Sequence, residues 1–379
     1  MTLRLPRDLW GVYRQPPQFR FGTVTSVSPG ICTVRVAGGE IPVIYFKNAA
    51  PSVGDFVSVQ RQSVVSYLMT APVAGALWFS DTNGGVWRSD TSGNARWIEL
   101  GDFPYGSGSS ATIACVLGPD QTVYVPDRGA AGVWLVKADG SYAFVSIPGA
   151  SLWYGCLGPD GAVWVADSTV GLRRIAADGT YTTVAVPSAT IAQAPVTGSD
   201  GAIWLTWQTG SVLNGGITRV PLSGAQTAYT FSSGAYQSVP EIPVLGPDGS
   251  VYVPNENAGG YWVVPPSGDI TYLSASVVDY AGALGSSCIG PDGGVWMPGG
   301  PSNDQIVAVS ASGSGTELQM PSTAAPAGIT TGPDKNFWTA DANNPWLWRV
   351  TLAGVVTQFV ITAPVVGGLP ILNGICQGP

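Results

Sequence analysis

The sequence predicts an all-β protein: a small OB-type β-barrel followed by a seven-bladed β-propeller that its own C-terminal strand closes. Three observations carry that expectation. The stretch Gly158-Pro159-Asp160-Gly161-Ala162-Val163-Trp164 recurs along most of the chain. Of 379 residues only 11% are charged, while glycine (51) and proline (31) are abundant, a composition suited to short strands joined by tight turns. Residues 372–379 reproduce the part of a repeat that the first copy lacks.

The recurrences are Gly118-Pro119-Asp120 leading to Tyr124, Gly198-Ser199-Asp200-Gly201 to Trp204, and Gly246-Pro247-Asp248-Gly249 to Tyr252. Gly290-Pro291-Asp292-Gly293 leads to Trp296, and Gly332-Pro333-Asp334 to Trp338. A degenerate copy over residues 74–81 carries Trp78. The aromatics Trp78, Tyr124, Trp164, Trp204, Tyr252, Trp296 and Trp338 stand 40 to 48 residues apart, a spacing that marks a repeat architecture. Within each unit an apolar strand A enters the Gly-Pro-Asp-Gly turn and returns as strand B. Strand C follows, and a second tight turn such as Ala138-Asp139-Gly140 leads to strand D. Glycine supplies positive φ in these turns and proline fixes φ ahead of the bend. Four antiparallel strands repeated in this way make a propeller. Residues 372–379 match 153–159, so they are expected to form strand A of the blade opened near residue 74, leaving no free sheet edge.

Ahead of the array, residues 1–18 read as a Pro-rich arm and 19–70 as the barrel, with 71–379 left for the propeller. Alternating segments at 21–27, 31–36, 41–45, 53–59 and 64–69 fit a small closed barrel. Over residues 1–70 the basic side chains Arg4, Arg7, Arg14, Arg20, Arg35, Lys47 and Arg61 outnumber Asp8, Glu40 and Asp55. The array is acidic and sets the net charge of −8, so a phosphate backbone would be repelled and nucleic acid is not an expected partner. No apolar run follows the first charges and no stretch is long enough to span a membrane, so a signal peptide and a membrane anchor are not expected. The five cysteines are dispersed without Cys-x-x-Cys spacing, and read as small apolar residues rather than a disulfide framework or metal ligands.

There is no histidine, which removes the commonest general base near neutral pH and the commonest metal ligand. No catalytic residue, cofactor or metal is therefore expected. The A–B and C–D turns share one face of the ring and are nearly identical. The B–C and D–A loops share the other face and vary, so ligand contacts are expected there. Acids and amides end strand B at Asp81, Asp127, Asp167, Asn255 and Asp341. The aromatics Trp153, Tyr154, Trp207, Tyr236, Tyr280 and Trp346 lie in or beside the neighbouring loops, the longest of them spanning 206–216, and Glu241 adds a carboxylate. Aromatic rings stack on sugar C–H faces and carboxylates or amides accept hydroxyls, a set suited to neutral glycans. The Asp of Gly-Pro-Asp-Gly reads as a turn-former, since one turn carboxylate falls short of the oxygens that calcium requires.

Two resemblances follow. The segments Gly22-Thr23-Val24, Cys32-Thr33-Val34 and Pro51-Ser52-Val53-Gly54-Asp55-Phe56-Val57 resemble the OB domains at the start of bacteriophage tail and baseplate proteins, including minor tail proteins of phages infecting actinobacteria. That resemblance implies a virion protein at the tail tip, made in the host cytoplasm and present in several copies. Its residues 1–70 would dock to other tail or baseplate proteins. The repeat, at Gly158–Val165, Gly246–Val253 and Gly290–Met297, resembles the virginiamycin B lyase (streptogramin lyase) family over roughly residues 72–379. The known enzyme of that family opens a cyclic depsipeptide by elimination, with a histidine base and a bound magnesium ion. Without a histidine, none of its catalytic residues carries over, and the resemblance speaks to fold. The leading expectation is a tail-tip protein whose propeller binds host cell-wall polysaccharide or another surface receptor. The alternatives are a lyase or glycan-cleaving enzyme with a carboxylate base such as Glu241 or Asp279, and a purely structural tail-tip component.

Overall fold

The computed structural model describes residues 19–28, 31–36, 39–44, 56–61, 67–72, 76–81, 85–100, 114–118, 121–187, 191–209, 215–231, 239–255, 260–274, 287–299, 304–309, 315–341, 343–361 and 372–378. The chain divides into two compact units, one made chiefly of Met1–Ala74 and the other of Gly75–Val136 with Tyr142–Gly378. In the first, strands β1 (Phe19–Ser28), β2 (Ile31–Val36), β3 (Gly39–Ile44), β4 (Phe56–Arg61) and β5 (Tyr67–Pro72) close in the order β1-β2-β3-β5-β4. β1 pairs antiparallel with both β2 and β4, while β3 and β5 run parallel. The arm expected over residues 1–18 lies outside the described residues.

The second unit is built of seven four-stranded sheets. In blade 3 the order is A (Leu152–Leu157), B (Val163–Asp167), C (Gly171–Ile175) and D (Tyr181–Ala185), all antiparallel. Blade 1 takes strand A from Leu372–Gly378, paired antiparallel with strand B at Ala76–Asp81, so the ring closes as the sequence predicts. The other A strands are Val116–Leu117, Ile191–Thr197, Val244–Leu245, Cys288–Ile289 and Pro326–Thr331 in blades 2, 4, 5, 6 and 7. Each A strand neighbours the next, and that of blade 1 neighbours that of blade 2, so the A strands encircle the axis. Among the described residues no helix is long and apolar enough to cross a membrane.

Burial falls from the middle of a blade to its rim. Every residue of strand B is buried in blades 2, 3, 5 and 7, because neighbouring blades cover both faces of the sheet there. Strand D is largely exposed in blades 2, 3 and 6. The core is therefore a series of inter-blade layers. Tyr124, Val133, Leu152, Val163 and Val165 join blades 2 and 3, and Leu77, Phe79, Trp87, Trp338 and Leu347 join blades 7 and 1.

The recurring motif is explained residue by residue. A Cβ on Gly158 would stand 2.4 Å from the Trp164 ring, and Gly198, Gly246, Gly290 and Gly332 face their own aromatics at the same distance. Gly161 has φ +74, a left-handed conformation that glycine adopts freely. The Asp closes the turn and holds the aromatic of strand B. Trp164 Nε1 donates to Asp160 (3.0 Å), Trp204 to Asp200 (3.1 Å), Trp296 to Asp292 (3.0 Å) and Trp338 to Asp334 (2.9 Å), while Tyr252 donates its hydroxyl to Asp248 (3.1 Å). Arg174 and Arg219 add ion pairs to Asp160 and Asp200. The aromatic of the motif and its Asp are one clasp.

Candidate functional site

The loop end of strand B carries a second clasp. Asp81 accepts from Trp87 Nε1 (3.0 Å), Asp127 from Trp134 Nε1 (3.0 Å) and Asp341 from Trp348 Nε1 (2.9 Å), the indole coming in each case from strand C. In blade 3 the partner is Arg173, whose Nε donates to Asp167 at 2.7 Å. The remaining oxygens hold the B–C loops. Asp127 accepts from the Ala130 backbone, Asp167 from Thr169 and from the Ser151 backbone, and Asp341 from the Asn343 and Asn344 backbones and from that of Ala325. Burial alone would raise the pKa of Asp167, but its hydrogen bonds from Thr169, Ser151 and Arg173 outweigh that and the net shift is downward. Asn255 accepts from the Val239 backbone N–H (3.1 Å), yet its Nδ2 and the Trp262 Nε1 have no partner among the described residues.

This corrects part of the expected ligand set. Asp127, Asp167, Asn255 and Asp341 are each 0% exposed, so they hold loops and strand C and present nothing to solvent. Trp207 is a further correction. Strand B of blade 4 runs on to Gln208, so Trp207 pairs with Gly216 inside the sheet, and its buried indole donates to Thr218 (3.0 Å). Trp346 opens strand C of blade 7 and stands edge-on to Trp348. Tyr236 and Tyr280 lie outside the described residues, as does Asp279.

Three expected residues do meet the axis. In blades 3, 4 and 7 strand A carries a bulge near the loop end of strand B, between Leu152 and Gly155, Ala192 and Pro195, and Pro326 and Ile329. Such bulges re-aim side chains. In blade 3 the intervening residues are Trp153 and Tyr154; in blade 4 they are Gln193 and Ala194. Pro240 pairs with Asn255 and Val244 with Tyr252, which puts Glu241 and Ile242 at the same two positions of blade 5. Tyr154, Ala194 and Ile242 form one packed layer with Ala114 of blade 2. Because blade 4 offers only Ala194 in this layer, Tyr154 of blade 3 and Glu241 of blade 5 come within electrostatic reach. The phenol is held well above its ordinary pKa, by burial first and by Glu241 second. Tyr154 is 9% exposed and Glu241 7%. The Tyr154 hydroxyl makes no hydrogen bond among the described residues.

Trp153 and Gln193 hold equivalent positions of strand A at the loop end of the axis, its mouth. The exposed Arg128, from the B–C loop of blade 2, lays its guanidinium 4.3 Å from the centre of the Trp153 ring. The Trp153 Nε1 is buried, with no hydrogen-bond partner among the described residues. Sequence reading overlooked Gln193 and Arg128, and Gln193 becomes visible only once the bulges set the register of strand A. Among the described residues no group of three or more His, Cys, Asp or Glu side chains is placed to hold a metal ion.

Fold and site define a seven-bladed propeller with a polar and aromatic mouth at its axis. The sequence matches the virginiamycin B lyase family over residues 156–374, and the chain belongs to that family. Similar solved structures include a catalytically inactive His→Ala variant of virginiamycin B lyase from Staphylococcus aureus with quinupristin. It is 20% identical, with 72% of this chain and 90% of that chain covered and a TM-score of 0.63. A streptogramin B lyase is 15% identical over 76% of this chain and 89% of that one, with a TM-score of 0.61. A protein from Lactobacillus plantarum is 15% identical over 80% and 99%, with a TM-score of 0.59. At these identities the likeness is one of fold. No curated protein matches the sequence.

Proposed function

We propose that the protein is a binding member of the family without lyase activity, a bacteriophage tail-tip protein whose propeller takes a host cell-surface glycan at the axis mouth. The observation that carries this reading is the kind of group gathered there. Trp153, Tyr154, Gln193 and Glu241 supply rings, a hydroxyl, an amide and a carboxylate, in a chain with no histidine. In the S. aureus lyase, a His→Ala variant is catalytically inactive; here no such histidine is available. No cofactor or metal is needed for binding of this kind. The strand order β1-β2-β3-β5-β4 is consistent with a five-stranded Greek-key barrel of the OB type. On this reading residues 1–70 dock the protein to other tail or baseplate proteins, in several copies per virion.

Purified protein should bind host cells and isolated cell-wall polysaccharide, and antibodies against it should label virion tail tips in electron micrographs. Absence of both binding and labelling overturns the proposal. A purely structural tail-tip component would label virions, bind no polysaccharide, and block assembly when deleted. The closeness of Tyr154 and Glu241 favours one other reading, a lyase or glycan-cleaving enzyme. Glu241 would withdraw a proton and the Tyr154 hydroxyl would supply one to the leaving group, although burial makes that phenol a weaker acid than usual. Turnover of a depsipeptide or glycan that disappears in Glu241→Gln would establish it.

A further inference from the structure

We infer that the glycan taken at the axis mouth is acidic, and that Arg128 is the residue that selects its anionic group. The inference rests on the glycan-binding reading and gives it a charge. Three observations support it. First, the carboxylates at the strand-B ends are all turned inward to clasps, so they do not set the charge of the mouth. Second, Arg128 is exposed and forms no ion pair among the described residues, whereas Arg173, Arg174 and Arg219 are each paired with an Asp. A protein of net charge −8 thus keeps at this mouth an exposed guanidinium outside any ion pair among the described residues, while the carboxylate there, Glu241, is buried. Third, the guanidinium lies over Trp153, with its centre 4.3 Å from that of the ring. A guanidinium stacked on an aromatic ring keeps its N–H edge for a carboxylate or phosphate, which it grips with two parallel hydrogen bonds.

The ring of Trp153 is therefore not an open platform of the sort neutral sugars use; Arg128 occupies a place over it. Tyr154, 9% exposed and with no hydrogen bond among the described residues, lies within electrostatic reach of the Glu241 carboxylate. An acidic sugar suits Arg128 and this pair alike. Its anionic group meets Arg128, its hydroxyls donate to Glu241, and a ring or acyl oxygen accepts from Tyr154. A uronic-acid carboxylate and a sugar- or polyol-phosphodiester share this chemistry.

The test compares oligogalacturonate, a glycerol-phosphate oligomer and a neutral chito-oligosaccharide, titrated against the full chain by calorimetry. Affinity for at least one anionic probe should exceed that for the neutral one, and should fall on going to about 0.5 M salt, where exposed charges are screened. Whichever anionic probe binds identifies the source of the charge. Arg128→Gln, at an exposed position whose loss leaves the fold intact by circular dichroism, should lower anionic affinity by about tenfold or more. Neutral binding should not fall with it, since loss of the guanidinium uncovers the Trp153 ring. Tyr154→Phe should weaken binding without altering the salt dependence. Equal affinity for neutral and anionic probes, or an anionic affinity indifferent to Arg128→Gln, overturns the inference while leaving a glycan site in place. Failure of all three probes and of cell-wall polysaccharide removes the glycan reading itself.

Discussion

At the turn end of strand B in blade 3, Asp160 accepts the indole N–H of Trp164, four residues along the same strand. At the loop end in blade 2, Asp127 accepts the indole N–H of Trp134, from the neighbouring strand. Both bonds join a carboxylate to an indole, and both repeat around the ring. They differ in tolerance. The turn clasp is partly exposed and keeps its form in blades 3, 4, 6 and 7, with Tyr252 substituting in blade 5. The loop clasp is buried and changes its partners together. Acid and indole become Asp167 with Arg173 in blade 3 and Trp207 with Thr218 in blade 4, and the corresponding positions of blade 6 hold Gly299 and Val307. A buried polar group without a partner is costly, so when one side of a buried pair changes the other is constrained to follow. Blade 5 is where this matching fails, since Asn255 has replaced the acid while Trp262 has kept its indole.

Breaking the loop clasp should have the largest effect. Asp341→Ala would orphan the Trp348 indole and the backbone donors of Ala325, Asn343 and Asn344, and should cost about 3–5 kcal/mol, read from the midpoint of urea unfolding. Asp160→Ala, at the part-exposed turn end, should cost clearly less; equal losses would erase the distinction between the two ends. Gly158→Ala forces a methyl group into the Trp164 ring and should cost about 1–3 kcal/mol. Asn255→Asp tests the comparison from the other side. It supplies an acceptor to the Trp262 indole, which has none among the described residues, and should stabilise the protein by about 1 kcal/mol at neutral pH. A loss of stability there would show that blade 5 had already adapted to the amide.

Acidification gives the smallest change near neutrality. Burial raises the pKa values of Asp160, Asp167 and Asp200, but their hydrogen bonds and Arg partners win, so all three are lowered in the fold. A carboxylate whose folded pKa lies below its unfolded one stabilises fully above the unfolded value. That contribution is lost as pH falls through the folded value. Melting temperature should therefore stay level from pH 7 to about 5 and drop below about 4. A steep decline between 7 and 5 would mean that other groups govern stability.

The blade count, the closure by residues 372–378 and the turn role of the Gly-Pro-Asp-Gly acid were legible in the sequence, because each rests on repetition at fixed spacing. The roles of Asp127, Asp167, Asn255 and Asp341 were not. A strand with one solvated face alternates polar and apolar residues, and that alternation tells which end is wet. Strand B is sandwiched between blades on both faces, so no alternation marks where its burial stops, and a terminal acid looks available. Trp207 reads as loop for a related reason, since strand B of blade 4 runs on to Gln208, into the segment 206–216 that the sequence offers as one long loop. Gln193 was hidden by the bulges, which shift the facing of strand A by a residue and leave no compositional trace. Trp153, Tyr154 and Glu241 are legible as aromatic or acidic loop neighbours, and the ring puts Trp153 and Glu241 at equivalent positions near its axis, with Tyr154 one residue on.

Closure of the ring also sets a timetable for the nascent chain. Strands B, C and D of blade 1 lie within residues 76–99, but their strand A comes from 372–378. At translation rates of about 5–20 residues per second, the intervening stretch takes roughly 15–55 s to emerge. Throughout that interval the backbone edge of Ala76–Asp81 has no neighbour, and it is open to pairing with another chain's strand. The oldest blade on the ribosome is thus the last to be finished, and crowded synthesis of many copies is when it is most exposed to error.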